Sequence, residues 1–183
     1  ETDEGAVVPI DYGAIEKGLE LAKHALEITK AKQPDFNAFP QAIIVRLYLM
    51  KGDLESAEKA AGHEPLKPIT IPYARYTIVV CLANIELALA RKNYEHALLL
   101  ADDLLTQVTP LVRIDIPYVM ARKADALIGL GQLDEALRVL TEACSHAEKF
   151  ESKHHLWSVL ASLAAIQVSL GKNVEAEESK KNA

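Results

Sequence analysis

Gly131-Gln132-Leu133-Asp134-Glu135-Ala136-Leu137 decides the fold, because it is one of four versions of a single turn. The others are Gly52-Asp53-Leu54-Glu55-Ser56-Ala57, Lys92-Asn93-Tyr94-Glu95-His96-Ala97 and Gly171-Lys172-Asn173-Val174-Glu175-Ala176. Their closing alanines fall at 57, 97, 136 and 176, spaced by 40, 39 and 40 residues. Self-similarity at a fixed period of this size marks a repeat architecture. Glycine in the first position supplies left-handed backbone at a helix end, and the alanine marks a place where two helices cross too closely for a larger side chain. One period further back lies Gly18, inside Glu16-Lys17-Gly18-Leu19-Glu20-Leu21-Ala22, so the first helix reads as the second half of a repeat.

Composition agrees with an all-α chain. Among 183 residues there are 27 Ala and 25 Leu but only 10 aromatics, a bias toward helix formers and away from the residues that sheets prefer. Prolines at 34 and 40, at 65, 68 and 72, and at 110 and 117 mark looser connections that alternate with the glycine turns. Helices are predicted at about 12–31, 38–51, 53–61, 72–91, 94–108, 115–130, 133–149, 153–170 and 173–182, with residues 1–11 a disordered or linker segment. Asp53 and Asn93 are good N-caps, whereas Gln132 and Lys172 in the same column are not. The chain begins at Glu1 without Met and ends inside a helical pattern, which points to a piece of a larger protein.

The turn pattern small-x-(Leu/Tyr)-acidic-x-Ala resembles the tetratricopeptide repeat, and the resemblance runs over residues 12–182. It implies a right-handed superhelix of antiparallel hairpins. The family's small residue on each first helix maps to Val45, Ile85, Ala124 and Ala164, of which only the last two fit; the preceding column, normally apolar, holds Ile44, Asn84, Lys123 and Leu163. The period of about 40 is similar to the superhelical region of bacterial LuxR-type signalling ATPases such as the maltose-regulon activator. That likeness implies an effector-sensing role as the alternative, although no ATPase or DNA-reading motif lies in this chain.

A net charge of −6 with no basic face argues against direct nucleic-acid binding and against an anionic membrane surface. Cys81 and Cys144 stand 63 residues apart without a CxxC spacing, so they read as buried thiols in a cytoplasmic protein. Gly129-Leu130-Gly131 is a helical turn rather than a phosphate loop. His154-His155 lacks a chelating frame, Asp102 and Asp103 read as solvated outer-face acids, and Trp157 reads as core. The prolines between Gly62 and Pro72 set an angle between hairpins. Nothing pairs a nucleophile with a base, and no metal or cofactor is expected.

Binding is the better prospect. The resemblance implies that first helices line the concave side, with inward positions at Arg46, Glu86, Asp125 and Ala165 and, seven residues earlier in each repeat, at Phe39, Val79, Tyr118 and Ser158. The expected site is therefore Arg46, Glu86 and Asp125 as polar contacts, with Phe39 and Tyr118 as apolar anchors. The plainer alternative is solvated charges and ordinary rim aromatics. The leading expectation is a non-enzymatic scaffold for a protein or peptide, or for another segment of its own parent chain. The alternative is a sensor of a small effector within a transcriptional regulator.

Overall fold

The computed structural model describes residues 11–67, 74–107, 115–150 and 153–182. Pro68, Pro72 and Pro110, most of the expected linker and the side chain of Trp157 lie outside the described residues. The described residues form helices and short turns, with no strand among them. In chain order they are α1 (Tyr12–Lys32), a 3-10 turn (Pro34–Phe36), α2 (Ala38–Met50), α3 (Leu54–Ala61), α4 (Ala74–Ala90), α5 (Tyr94–Gln107), α6 (Ile116–Gly129), α7 (Leu133–Lys149), α8 (Lys153–Ser169) and α9 (Asn173–Asn182). Asp11, the last residue of the expected linker, caps α1 by accepting from the Ala14 amide at 3.1 Å.

Four hairpins, α2/α3, α4/α5, α6/α7 and α8/α9, share one backbone closure. In the third, the Gly131 amide donates to Ile128 at 2.9 Å and the Gln132 amide to Leu127 at 2.9 Å. The same pair of bonds closes the turns at Gly52, Lys92 and Gly171, satisfying carbonyls that a helix end leaves without partners. This closure needs positive φ, +75° at Gly52 and +74° at Gly131 and Gly171, and Lys92 adopts it at +59° without being glycine. Asp53 accepts from the Ser56 amide at 3.0 Å and Asn93 from the His96 amide at 3.4 Å, whereas Gln132 makes no side-chain cap.

Ala57, Ala97, Ala136 and Ala176 are fully buried at the crossings. Gly18 occupies the column in α1, where a Cβ would stand 3.2 Å from Leu47. First helices α2, α4, α6 and α8 form one row and second helices the other, so that each first helix packs against its own partner and the helix before it. The hydrophobic clusters follow this plan: one joins α6, α7 and α8 around Leu140 and Val159, and another joins α2, α3 and α4 around Val45 and Val80. The chain is an all-α superhelical solenoid.

The residues that departed from the repeat pattern have structural partners. Val45 and Ile85 are completely buried in the column where small residues were expected, filled instead by larger aliphatics. Asn84 accepts from the Leu66 amide at 3.1 Å and donates to the Leu66 carbonyl at 2.9 Å, which ties the stretch after the short α3 onto α4. Lys123 reaches Asp102 on α5 at 2.7 Å. Asp102 is thus not simply solvated, and the same holds for Glu58, paired with Arg91 at 2.8 Å, and Glu16, paired with Lys51. Each pair joins α1 or a second helix to the next first helix or to the turn at its end, although exposed pairs of this kind are worth only about 0–1 kcal/mol.

Candidate functional site

Because the first helices stack at the repeat period, Arg46, Glu86 and Asp125 follow one another along α2, α4 and α6. They line one trough of about 580 Å³, together with Leu49, Met50, Leu89, Tyr94, Tyr118, Arg122 and Ser158. Its floor is a hydrogen-bonded network. The Arg46 guanidinium holds the Glu86 carboxylate with both prongs, Nε to Oε2 at 2.7 Å and Nη2 to Oε1 at 3.0 Å. The Tyr118 hydroxyl donates to Glu86 Oε1 at 2.8 Å and receives Arg46 Nη2 at 3.4 Å. Three successive first helices are joined by three side chains.

The pairing is partly buried, with Arg46 and Glu86 side chains 28% and 13% exposed, so it differs from the solvated charges of the plainer expectation. Burial works against the Arg46 cation, yet the Glu86 carboxylate outweighs it and holds the guanidinium above its ordinary pKa. Burial and the charge of Glu86 push the Tyr118 phenol up, which keeps it a donor. Asp125 is pushed up by burial first; Arg122, at 3.2 Å, opposes that shift and Glu86 adds to it. Arg122 also lies over the Tyr118 ring, 5.0 Å from its centre, and its Nε is buried without an acceptor. His155 of α8 also packs against that ring, 5.1 Å between centres, and places Nε2 3.4 Å from Asp115, extending the polar line to the fourth first helix.

Phe39 is not part of this arrangement. Its ring packs edge-on against Tyr76 at 4.7 Å, beside Phe36, at the entrance to α2. Tyr118 acts through its hydroxyl as much as its ring. Val79 packs against the α2/α3/α4 cluster, Ala165 is exposed and Ser158 lines the trough. Sequence reasoning missed Arg122, Tyr94, Met50 and the rest of the apolar rim. Arg122 carried a faint signal, since it stands three residues before Asp125 and therefore within reach on one helical face. Met50 is 59% exposed, a large apolar side chain left at the edge of the trough.

The repeated hairpin, its alanine crossing and the first-helix trough define a tetratricopeptide-like helical repeat. A solved structure of nearly identical TPR-like repeats, assigned to a kinesin light chain of Podosopora anserina, is similar over 93% of this chain and 85% of its own, with a TM-score of 0.60 and 16% identity. That likeness is one of fold. No family model matches the chain, and no curated protein does. Among the described residues, no helix is long and apolar enough to cross a membrane.

Proposed function

We propose that the protein is a non-catalytic scaffold that holds a partner polypeptide in the trough between α2, α4 and α6. The observation behind this reading is that the trough combines apolar side chains with an Arg46–Glu86–Tyr118 network whose members hydrogen-bond one another. Covering a polar group costs free energy when its hydrogen bonds are lost, and Arg46, Glu86 and Tyr118 keep theirs with one another when a partner excludes water. Met50, Leu49, Leu89 and Tyr94 then supply the apolar contact area, and Arg122 and Asp125 the remaining polar selectivity. Two thiols without a disulfide suit a reducing, cytoplasmic setting.

The test is capture by the wild-type chain compared with Met50→Glu and with Arg46, Glu86 and Asp125 changed together to Ala. Partners held by the trough disappear with both variants while helical circular dichroism persists. Partners retained equally by both variants remove the trough from consideration. A second reading, an effector-binding domain of a signalling protein, draws on the trough volume of about 580 Å³, within the range of small-molecule sites. It requires saturable thermal stabilisation by a metabolite, lost in Arg122→Ala; a flat response across a broad library sinks it.

A further inference from the structure

The charges that line the trough fall into two pairs, and the pairs differ in how fully they are satisfied. Arg46 and Glu86 hold each other with two hydrogen bonds, and the Tyr118 hydroxyl gives Glu86 a third. Arg122 and Asp125 share a single contact, Nη2 to Oδ2 at 3.2 Å. The Arg122 Nε–H is buried without an acceptor, and Asp125 Oδ1 has no partner among the described residues. With side chains 23% and 30% exposed, this second pair opens on the trough as donors beside a free acceptor. Burial leaves the Asp125 carboxylate poorly stabilised, so a further N–H donor would suit it.

A charged ligand group meets opposition here. A carboxylate that reaches Arg122 stands beside Asp125 and Glu86, and an ammonium that reaches Asp125 stands beside Arg122 and Arg46. A primary carboxamide avoids both costs, because its oxygen accepts and its NH2 donates side by side. A trans main-chain amide points its oxygen and its N–H in opposite directions and cannot serve both members of one pair. We infer that the trough selects a partner segment bearing an Asn or Gln, whose carboxamide oxygen accepts from the Arg122 guanidinium while its NH2 donates to Asp125, next to a large apolar side chain that covers Met50, Leu89 and Tyr94. This deepens the scaffold reading and rests on it. Residues 1–10, 68–73 and 108–114 of this chain contain neither Asn nor Gln, so they do not supply the group.

The test pans a random-peptide phage library against the full chain at pH 8 and keeps the peptides whose binding Met50→Glu abolishes. These peptides share an Asn or Gln beside a large apolar residue. One of them is then titrated by fluorescence anisotropy in versions that carry Gln, Glu, Lys or Met at that position, and the Gln version binds at least about tenfold more tightly than each of the others. Asp125→Asn moves the preference to Glu and Arg122→Gln moves it to Lys, two near-isosteric changes whose helical circular dichroism matches the wild type. Trough-dependent peptides without a shared Asn or Gln, a Glu, Lys or Met version that binds as tightly, or preferences that stay put in both variants overturn the carboxamide assignment and leave the scaffold reading standing. A library that yields no peptide sensitive to Met50→Glu overturns both. A concentration-dependent dimer in sedimentation that Met50→Glu dissolves makes a second copy the occupant and overturns the proposal as well.

Discussion

Gly129→Ala is expected to destabilise the protein, against the ordinary preference of helices for alanine. Gly129 ends α6 with its backbone against the Tyr94 ring, and a Cβ built there stands 2.3 Å from Cδ1, 2.4 Å from Cε1 and 2.5 Å from Cγ. Carbon atoms rest about 3.5–4.0 Å apart, so the ring must retreat by more than about 1 Å. Cγ lies at the root of the side chain, and a rotation about χ2 therefore cannot clear the contact. Alanine for glycine inside a helix is worth about 1 kcal/mol, whereas overpacking costs about 1–3 kcal/mol. With three ring atoms overlapped the upper part of that range applies, leaving a net loss of about 1–2 kcal/mol, or a fall of several degrees in Tm for a chain of this size. Urea unfolding followed by circular dichroism measures it. In a Tyr94→Ala background the ring is gone, and the same substitution becomes stabilising by about 1 kcal/mol, the propensity gain alone. Stabilisation by Gly129→Ala in the wild-type background, or equal effects in both backgrounds, refutes the reasoning.

Three further substitutions address the turn and the trough. Lys92→Gly removes an L-residue from left-handed backbone, worth about 1–2 kcal/mol, and returns part of that as chain entropy, so a net gain of about 0.5–1 kcal/mol should appear in urea melts; a loss of stability would contradict the turn geometry. Arg46→Met strands the half-buried Glu86 carboxylate with only the Tyr118 hydroxyl and, discounted for the exposure of Arg46, costs about 2–3 kcal/mol, while Arg46→Met combined with Glu86→Leu recovers most of it in thermal melts. If the double variant is no better than the single, the pair is not coupled as described. For Asp125 the folded pKa lies above the unfolded value, so the native state binds its proton more readily. Stability is therefore lost as pH rises through the folded pKa and regained as pH falls toward the ordinary carboxylate range. Asp125→Asn should accordingly gain relative to wild type between pH 4 and pH 7 in urea titrations; a relative loss over that interval would reverse the assigned sign.

The turns were legible because the backbone imposes the same demand four times, and Gly52, Gly131 and Gly171 each answer it with glycine. Lys92 showed that the demand belongs to the position and not to the residue type. The column of Arg46, Glu86 and Asp125 was legible for a related reason: residues one period apart on stacked first helices must be neighbours. What spacing could not reveal is which side chains satisfy one another. Arg46 and Glu86 turn inward to form a bidentate pair, and Asp125 is drawn to Arg122 on its own helix. Phe39 shared Tyr118's column but sits where the chain enters α2 from a 3-10 turn, and there Tyr76 captures its ring. Asn84 and Lys123 looked like decay of the repeat pattern because their partners, Leu66 in the stretch after α3 and Asp102 on α5, lie at distances along the chain that no local pattern encodes.

The shared turn closure has an evolutionary consequence. The hydrogen bonds that set each hairpin are made by the main chain, and the crossings require only an alanine or a glycine, so neither constrains the outward faces of α2, α4, α6 and α8. Positions 46, 86, 118 and 125 can change as a coupled set while the frame that carries them stays fixed. A lineage built on this frame can remodel that face many times without passing through an unfolded ancestor.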